Sequence, residues 1–191
     1  MSHPTSSHRM FVPGRHVATL IGLGWCLSTS SLVAQRIHMH SDETLMWSNM
    51  VAHVDGQVVR LGPDWRGDVI FTLQGDDKSS EARLFQGFST SALDVLFTVR
   101  DGRLMAGDSH FTQAILYTAH EDQIFQGDST FPLDVVYTLR EENAVMGASR
   151  GASVWGLYTE DSRNWSDRVV LFEGKPSTAQ LFALLLATGW L

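Results

Sequence analysis

Short apolar runs recur along this chain. Each is followed by a glycine, a polar stretch and a second apolar run, and the interval between copies is constant. In "QIFQGDSTFPLDVVYTLREE" (Gln123–Glu142) a short run ends before Gly127, turn-friendly residues follow, and "DVVYTL" is rich in β-branched and aromatic side chains. Such residues fit a pleated, partly buried surface, so the unit reads as two strands joined through a glycine loop. "ARLFQGFSTSALDVLFTVRDG" (Ala82–Gly102) and "RLMAGDSHFTQAILYTAHED" (Arg103–Asp122) follow the same template. Gly87, Gly107, Gly127 and Gly147 stand 20 residues apart, and the pairs Gly87–Thr98, Gly107–Thr118 and Gly127–Thr138 each span 11. Spacing this regular identifies a repeat architecture.

The turns between units carry their own signals. Asp55-Gly56 and Asp101-Gly102 lie between apolar runs. Asp-Gly there predicts a tight hairpin, because a type I′ turn needs positive φ at both centres. "AHEDQI" and "LREENAV" lack the glycine, which predicts wider or differently shaped turns. "VVRLGPDWRGDVIFTL" (Val58–Leu73) extends the pattern upstream and "GLYTEDSRNWSDRVVLF" (Gly156–Phe172) extends it downstream, giving about five units and roughly ten to twelve strands. In "DVVYTL" both strand faces are partly apolar, and a single flat sheet would leave one wet. The expected fold is all-β: tandem hairpins closed, or nearly closed, into a barrel-like or propeller-like ring, with a β-solenoid as the alternative. The pattern stops at "KPSTAQLFALLLATGWL". Ser177 or Thr178 suits a helix cap, and Leu181, Leu184 and Leu185 share a helical face. This predicts a C-terminal helix from about Ser177 to Thr188, covering an open apolar end of the β structure.

The pattern "IFQGDST…DVVYTLRE", with its closing "VVLFEGKPSTAQLFALLLA", resembles a group of exported bacterial proteins built from tandem hairpin repeats of about 20 residues. The resemblance covers Val51 to the C-terminus. It implies a β-repeat domain with a terminal helix and brings no catalytic residue. The unit is similar in scale to choline-binding hairpin repeats, but their recurring Trp and Tyr-Tyr pattern is missing, so choline binding does not carry over.

Composition changes the picture at the N-terminus. Arg9, Arg15 and three histidines precede "VATLIGLGWCLSTSSLVA", and no acidic residue occurs before Asp42. A basic start, a short apolar run and small residues up to Ala34 form the layout of a secretory signal peptide. The predicted organisation is therefore residues 1–34 as signal peptide, 35–50 as a flexible segment, 51–175 as the repeat domain and 176–191 as the helix. Cleavage after Ala34 would remove Cys26, the one cysteine, and with it any disulfide or thiol chemistry. It would also lower Lys+Arg from 14 to 12 against 21 Asp+Glu, changing the formal charge from −7 to −9. That charge disfavours nucleic acid and anionic membrane surfaces as partners. The expected location is secreted or periplasmic.

Three groups of side chains offer chemistry. Loop carboxylates recur at Asp64, Asp68, Asp94, Asp108, Asp128, Asp134, Asp161 and Asp167. If the fold closes, such loops gather at one end, and Asp108, Asp128, Asp134, Asp161 and Asp167 would suit Ca²⁺, which takes six to eight oxygens. The simpler reading is that each Asp caps its own turn and that no cofactor is needed. Loop aromatics Trp65, Phe111, Phe131 and Trp165 follow each unit's glycine or Asp-Ser. They would serve as ligand platforms, as in a repeat lectin, or else as plugs of the ring. In "RIHMHSDE", His38 and His40 with Asp42 and Glu43 could hold Zn²⁺ or Cu²⁺, although a flexible polar terminus is the expectation there.

Catalysis has little support. Ser89, Ser109, Ser129 and Ser162 recur, but a residue repeated in every unit is structural more often than catalytic. No nucleophile-elbow, zinc-protease or phosphate-loop motif is present. The function expected is a non-enzymatic binding or structural module for an unknown protein or glycan at the cell surface or outside the cell. A carbohydrate-binding lectin is the first alternative and a secreted hydrolase the second.

Overall fold

The computed structural model describes residues 36–41, 44–75, 81–143, 145, 148, 153–162 and 164–191, except the side chain of Trp165. The predicted signal segment, Asp42, Glu43 and Gly147 lie outside the described residues. Among the described residues twelve strands run in order: β1 (Ile37–His40), β2 (Met50–Asp55), β3 (Val58–Leu61), β4 (Val69–Gln74), β5 (Glu81–Gln86), β6 (Val95–Arg100), β7 (Arg103–Ala106), β8 (Ile115–His120), β9 (Gln123–Gln126), β10 (Val135–Glu142), β11 (Val154–Thr159) and β12 (Arg168–Glu173). One helix follows, α1 (Thr178–Thr188). Each strand pairs antiparallel with its chain neighbours, and β1 pairs with β12 to close a barrel. Closure leaves no free sheet edge, which is the physical advantage expected of the ring over the solenoid.

Six units, each an odd strand and the even strand after it, make the ring. In every unit the ladder shifts register at one step, beside Met39, Val59, Leu84, Leu104, Ile124 and Leu157. These six side chains are buried and point to the core. Such bulges add local bend, which helps a sheet curl into a closed ring. Three residues beyond five of these steps the chain takes a left-handed turn, at Gly62, Gly87, Gly107, Gly127 and Glu160. Glycine adopts that conformation without the Cβ clash that other residues meet.

The 11-residue glycine–threonine spacing has a structural cause that crosses units. Thr98 Oγ1 donates to the carbonyl of Gly107 at 2.8 Å, Thr118 to Gly127 at 2.7 Å, Thr72 to Gly87 at 2.6 Å and Thr138 to Glu160 at 2.7 Å. Each threonine thus bonds the next unit's glycine position rather than its own. All four threonines are buried, so an unmade bond there would leave a polar group without water.

The helix is a plug, not the end cover expected from sequence. Leu181, Phe182, Ala183, Leu184 and Leu185 are all buried. Five consecutive buried residues exceed one 3.6-residue turn, so every face of α1 is covered. The core around it takes residues from β1 through β12, with α1 packing most closely on β2, β3 and β4. Ser177 and Gln180 form a reciprocal capping box at its start. At its end Gly189 turns left-handed, and Tyr137 Oη donates to the Trp190 carbonyl at 2.9 Å.

Two further expectations change. Residues 35–50, read as a flexible segment, supply β1, without which the barrel would stay open. At the first Asp-Gly, Asp55 pairs with Val58, so Gly56 and Gln57 are the turn residues and Asp55 belongs to the strand. Of the two, Gly56 has positive φ, as in a type II′ turn. Asp101 and Gly102 form the type I′ turn predicted, with φ of 47° and 78°. The turn at Glu121-Asp122 is equally tight, with Glu121 taking the left-handed position.

Candidate functional site

In an up-and-down barrel the loops leaving the odd strands share one rim, opposite the hairpin turns. Those loops span residues 41–49, 62–68, 87–94, 107–114, 127–134 and 160–167. Four of the six share one local build. A serine Oγ accepts the amide two residues on: Ser89 from Ser91, Ser109 from Phe111, Ser129 from Phe131 and Ser162 from Asn164. Ser89, Ser129 and Ser162 also donate to Asp94, Asp134 and Asp167. A short 3₁₀ turn then leads into the next strand, at Trp47–Asn49, Ala92–Asp94, Thr112–Ala114, Pro132–Asp134 and Trp165–Asp167. The recurrent serines are therefore loop-forming groups, each held by its own turn.

This scaffold pushes apolar side chains outward. Trp47, Trp65, Phe88, Phe111 and Phe131 range from 62% to 76% exposed, and Leu93 and Leu133 reach 96% and 99%. All seven stand on the same rim, a crown of aromatic and aliphatic groups. Trp65, Phe111 and Phe131, read from sequence as ligand platforms or plugs of the ring, are open to solvent, and α1 fills the core. Trp165 belongs by its backbone to the sixth rim loop, with its side chain outside the described residues. Trp47, Phe88, Leu93 and Leu133 were missed in the sequence. Equivalence of loop position is the signal that finds them: Phe88 directly follows the unit glycine, and Leu93 and Leu133 both precede an Asp.

The loop acids stand on the same rim, and all but Asp68 turn to a partner in their own loop or a nearby strand. Arg83 Nη2 lies 3.2 Å from Asp108, Arg103 Nε donates to Asp128 at 2.8 Å, and Arg140 Nη2 to Asp161 at 3.2 Å. Asp134 and Asp167 accept from Ser129 and Ser162, and Asp64 accepts the Arg66 amide at 2.9 Å. Arg66 also sits 4.7 Å from the Trp65 ring centroid, and Arg60 5.5 Å from that of Phe88. The guanidinium groups thus cover parts of two crown rings and neutralise part of the acidic rim.

Comparison with known proteins fits this geometry. A family model described as "6-fold beta flower protein" matches residues 39–161, more than half of the 191-residue chain, and the chain belongs to that family. The match begins inside β1 and ends in the loop after β11. An X-ray structure of a protein from Arabidopsis thaliana is similar over 82% of this chain and 91% of its own, at 14% sequence identity and a TM-score of 0.39. No curated protein matches the chain.

Proposed function

We propose that this member of the 6-fold beta flower family is an exported, non-catalytic binding module that grips a partner protein outside the cytoplasm with its apolar crown. The observation that carries this reading is the display of seven large apolar side chains on one rim, including two leucines almost wholly in solvent. Exposed apolar surface of this extent costs solubility and marks contact sites. Aromatic rings at such a surface supply the large buried area typical of binding hot spots. The basic, apolar, small-residue layout of the first 34 residues supports export. The recurring serines and acids serve the loops, which supports a role without catalysis.

Trp65 favours a second reading, as a carbohydrate binder. Its ring is 67% exposed, lies between Asp64 and Arg66, and has Arg66 near the ring. A sugar stacked on the ring would find polar neighbours at its rim.

The two readings separate in one experiment. The chain and a Leu93→Ser/Phe111→Ser/Leu133→Ser variant are immobilised and exposed to the exported proteins of the source cell and, separately, to a glycan array. Capture of a defined protein by the parent, lost in the triple variant, supports the crown as a protein contact. Glycan retention lost in Trp65→Ala supports the lectin reading. Equal capture by parent and variant, or none, removes the crown as the working surface.

A further inference from the structure

We propose that His38, His40 and Glu173 form a zinc-type divalent metal site that clasps the first strand of the barrel to the last. His38 and Glu173 are directly opposed across the closing β1–β12 pair, and His38 Nδ1 lies 3.0 Å from Glu173 Oε2. His40 stands two residues further along β1 on the same face. Each of the three residues offers one ligand-capable atom, and these atoms all lie within 4.8 Å of one another.

The His38–Glu173 contact alone leaves one atom unexplained. His40 is 1% exposed, and its Nε2 is the one buried side-chain nitrogen or oxygen among the described residues with no hydrogen-bond partner. Orphaned buried polar atoms are rare in native proteins because each costs its lost hydration. The other ring nitrogen of His40, Nδ1, lies 3.2 Å from the Met46 carbonyl. A carbonyl only accepts, so Nδ1 carries the proton and Nε2 presents a bare lone pair. A backbone carbonyl fixing the tautomer so that the other nitrogen faces a cation is the usual outer-shell arrangement of metal-binding histidines.

The surroundings suit a small cation. The Trp47 ring lies edge-on to His38 at 6.4 Å, and His53 flanks His38 at 6.4 Å on the other neighbouring strand. His53 is itself held by its Nδ1 at 2.8 Å from the Gly62 carbonyl. Two imidazoles and one carboxylate match borderline divalent ions such as Zn²⁺, with a fourth position open to water. The ligand unforeseen in the sequence is Glu173, 135 residues from His38.

The test uses the full chain, stripped with chelator and titrated with Zn²⁺. Binding of one equivalent is expected, with a rise in melting temperature that chelator reverses. Hydrogen exchange at residues 37–40 and 168–173 should slow when Zn²⁺ is bound. Glu173→Gln keeps the size of the side chain, so it should fold; it and His38→Ala should each weaken Zn²⁺ by more than the roughly 10–100-fold that loss of an outer-shell partner costs. His110→Ala and His120→Ala, exposed residues elsewhere on the barrel, should change nothing. Absence of uptake overturns the site. So does uptake that persists undiminished in His38→Ala/Glu173→Gln, which would place the metal elsewhere, or binding that leaves the exchange of β1 and β12 unchanged.

Discussion

The arc from β4 to β10 and the seam formed by β11, β12, β1 and β2 share one template and fill it differently. In the arc, the position that bonds the next unit's turn is always threonine: Thr72, Thr98, Thr118 and Thr138. At the seam the same position holds His53 on β2 and Leu171 on β12. The buried outer position is Phe85, Met105 or Phe125 in the arc, and His40 and Tyr158 at the seam. The left-handed turn is glycine through the arc and Glu160 after β11. Repetition therefore marks what every unit needs to fold. Departures from it bring His38, His40, His53 and Glu173 together, and a function that requires a unique constellation must use such departures.

The plug supports both regions, so its loss is the largest effect expected. Phe182 is wholly buried, and Phe182→Ala should cost about 3–5 kcal/mol, the range for large core aromatics. Chemical denaturation should still show one transition, because α1 packs on β2, β3 and β4 while its core cluster reaches all twelve strands. Two separated transitions would show that arc and seam fold independently. The crown gives the contrast: Phe111→Ala should stay within about 0.5 kcal/mol of the parent.

Within the arc the threonines should be interchangeable. Thr98→Val keeps the shape but takes the hydroxyl donor from the part-buried Gly107 carbonyl, a loss of about 1–3 kcal/mol. Thr118→Val and Thr138→Val should match it in urea melts. A strongly unequal series would break the equivalence of the units and reduce the contrast with the seam to a matter of degree.

How much of this was legible follows from the same contrast. The hairpins, the closed ring, the C-terminal helix and the rim loops all rest on local periodicity, which three clean copies display openly. The threonine's partner was hidden because the bond skips its own glycine for the next one. The helix read as a cover because Leu181, Leu184 and Leu185 define one stripe. Phe182 and Ala183 complete the other faces, and their burial depends on a barrel wide enough to hold a helix. β1 was missed because "IHMH" carries no repeat signature and pairs with strands on both sides of the closure. The crown residues were half visible, since the loop template gives positions but not which side chains the 3₁₀ turn pushes outward.

The turn after β11 tests the seam from the stabilising side. Glu160 takes φ of 51° where its counterparts in four other units are glycine. The left-handed region costs a residue with Cβ about 1–2 kcal/mol. Glu160→Gly should recover on the order of 1 kcal/mol, seen as a higher urea midpoint with unchanged slope. Gly127→Ala should lose a similar amount, and since no atom lies within 4 Å of the added Cβ, backbone conformation is its main cause. A destabilised Glu160→Gly would mean that the Glu160 side chain contributes more than its backbone strain costs.

The smallest effect separates the electrostatics of the arc from those of the seam. Glu81 on β5 is bonded by Arg100, its cross-strand partner on β6, and by Arg83 Nε at 2.9 Å. The bond from Arg100, aided by both guanidinium charges, holds the carboxyl below its ordinary value of 4.5. Folded Glu81 therefore releases its proton more readily than unfolded Glu81. The stabilisation is fully present above about pH 4.5 and fades as pH falls through the lower folded value. The group is partly exposed, so the amount should be under about 1 kcal/mol, and smaller at high salt. Glu81→Gln should flatten the acid limb of the stability–pH curve by that amount. Chelator should leave this limb unchanged, because Glu81 stands in the arc and takes no part in the His38–His40–Glu173 cluster. If chelation alters the acid response of Glu81, closure of the seam governs the geometry of the arc, and the two regions are one electrostatic unit.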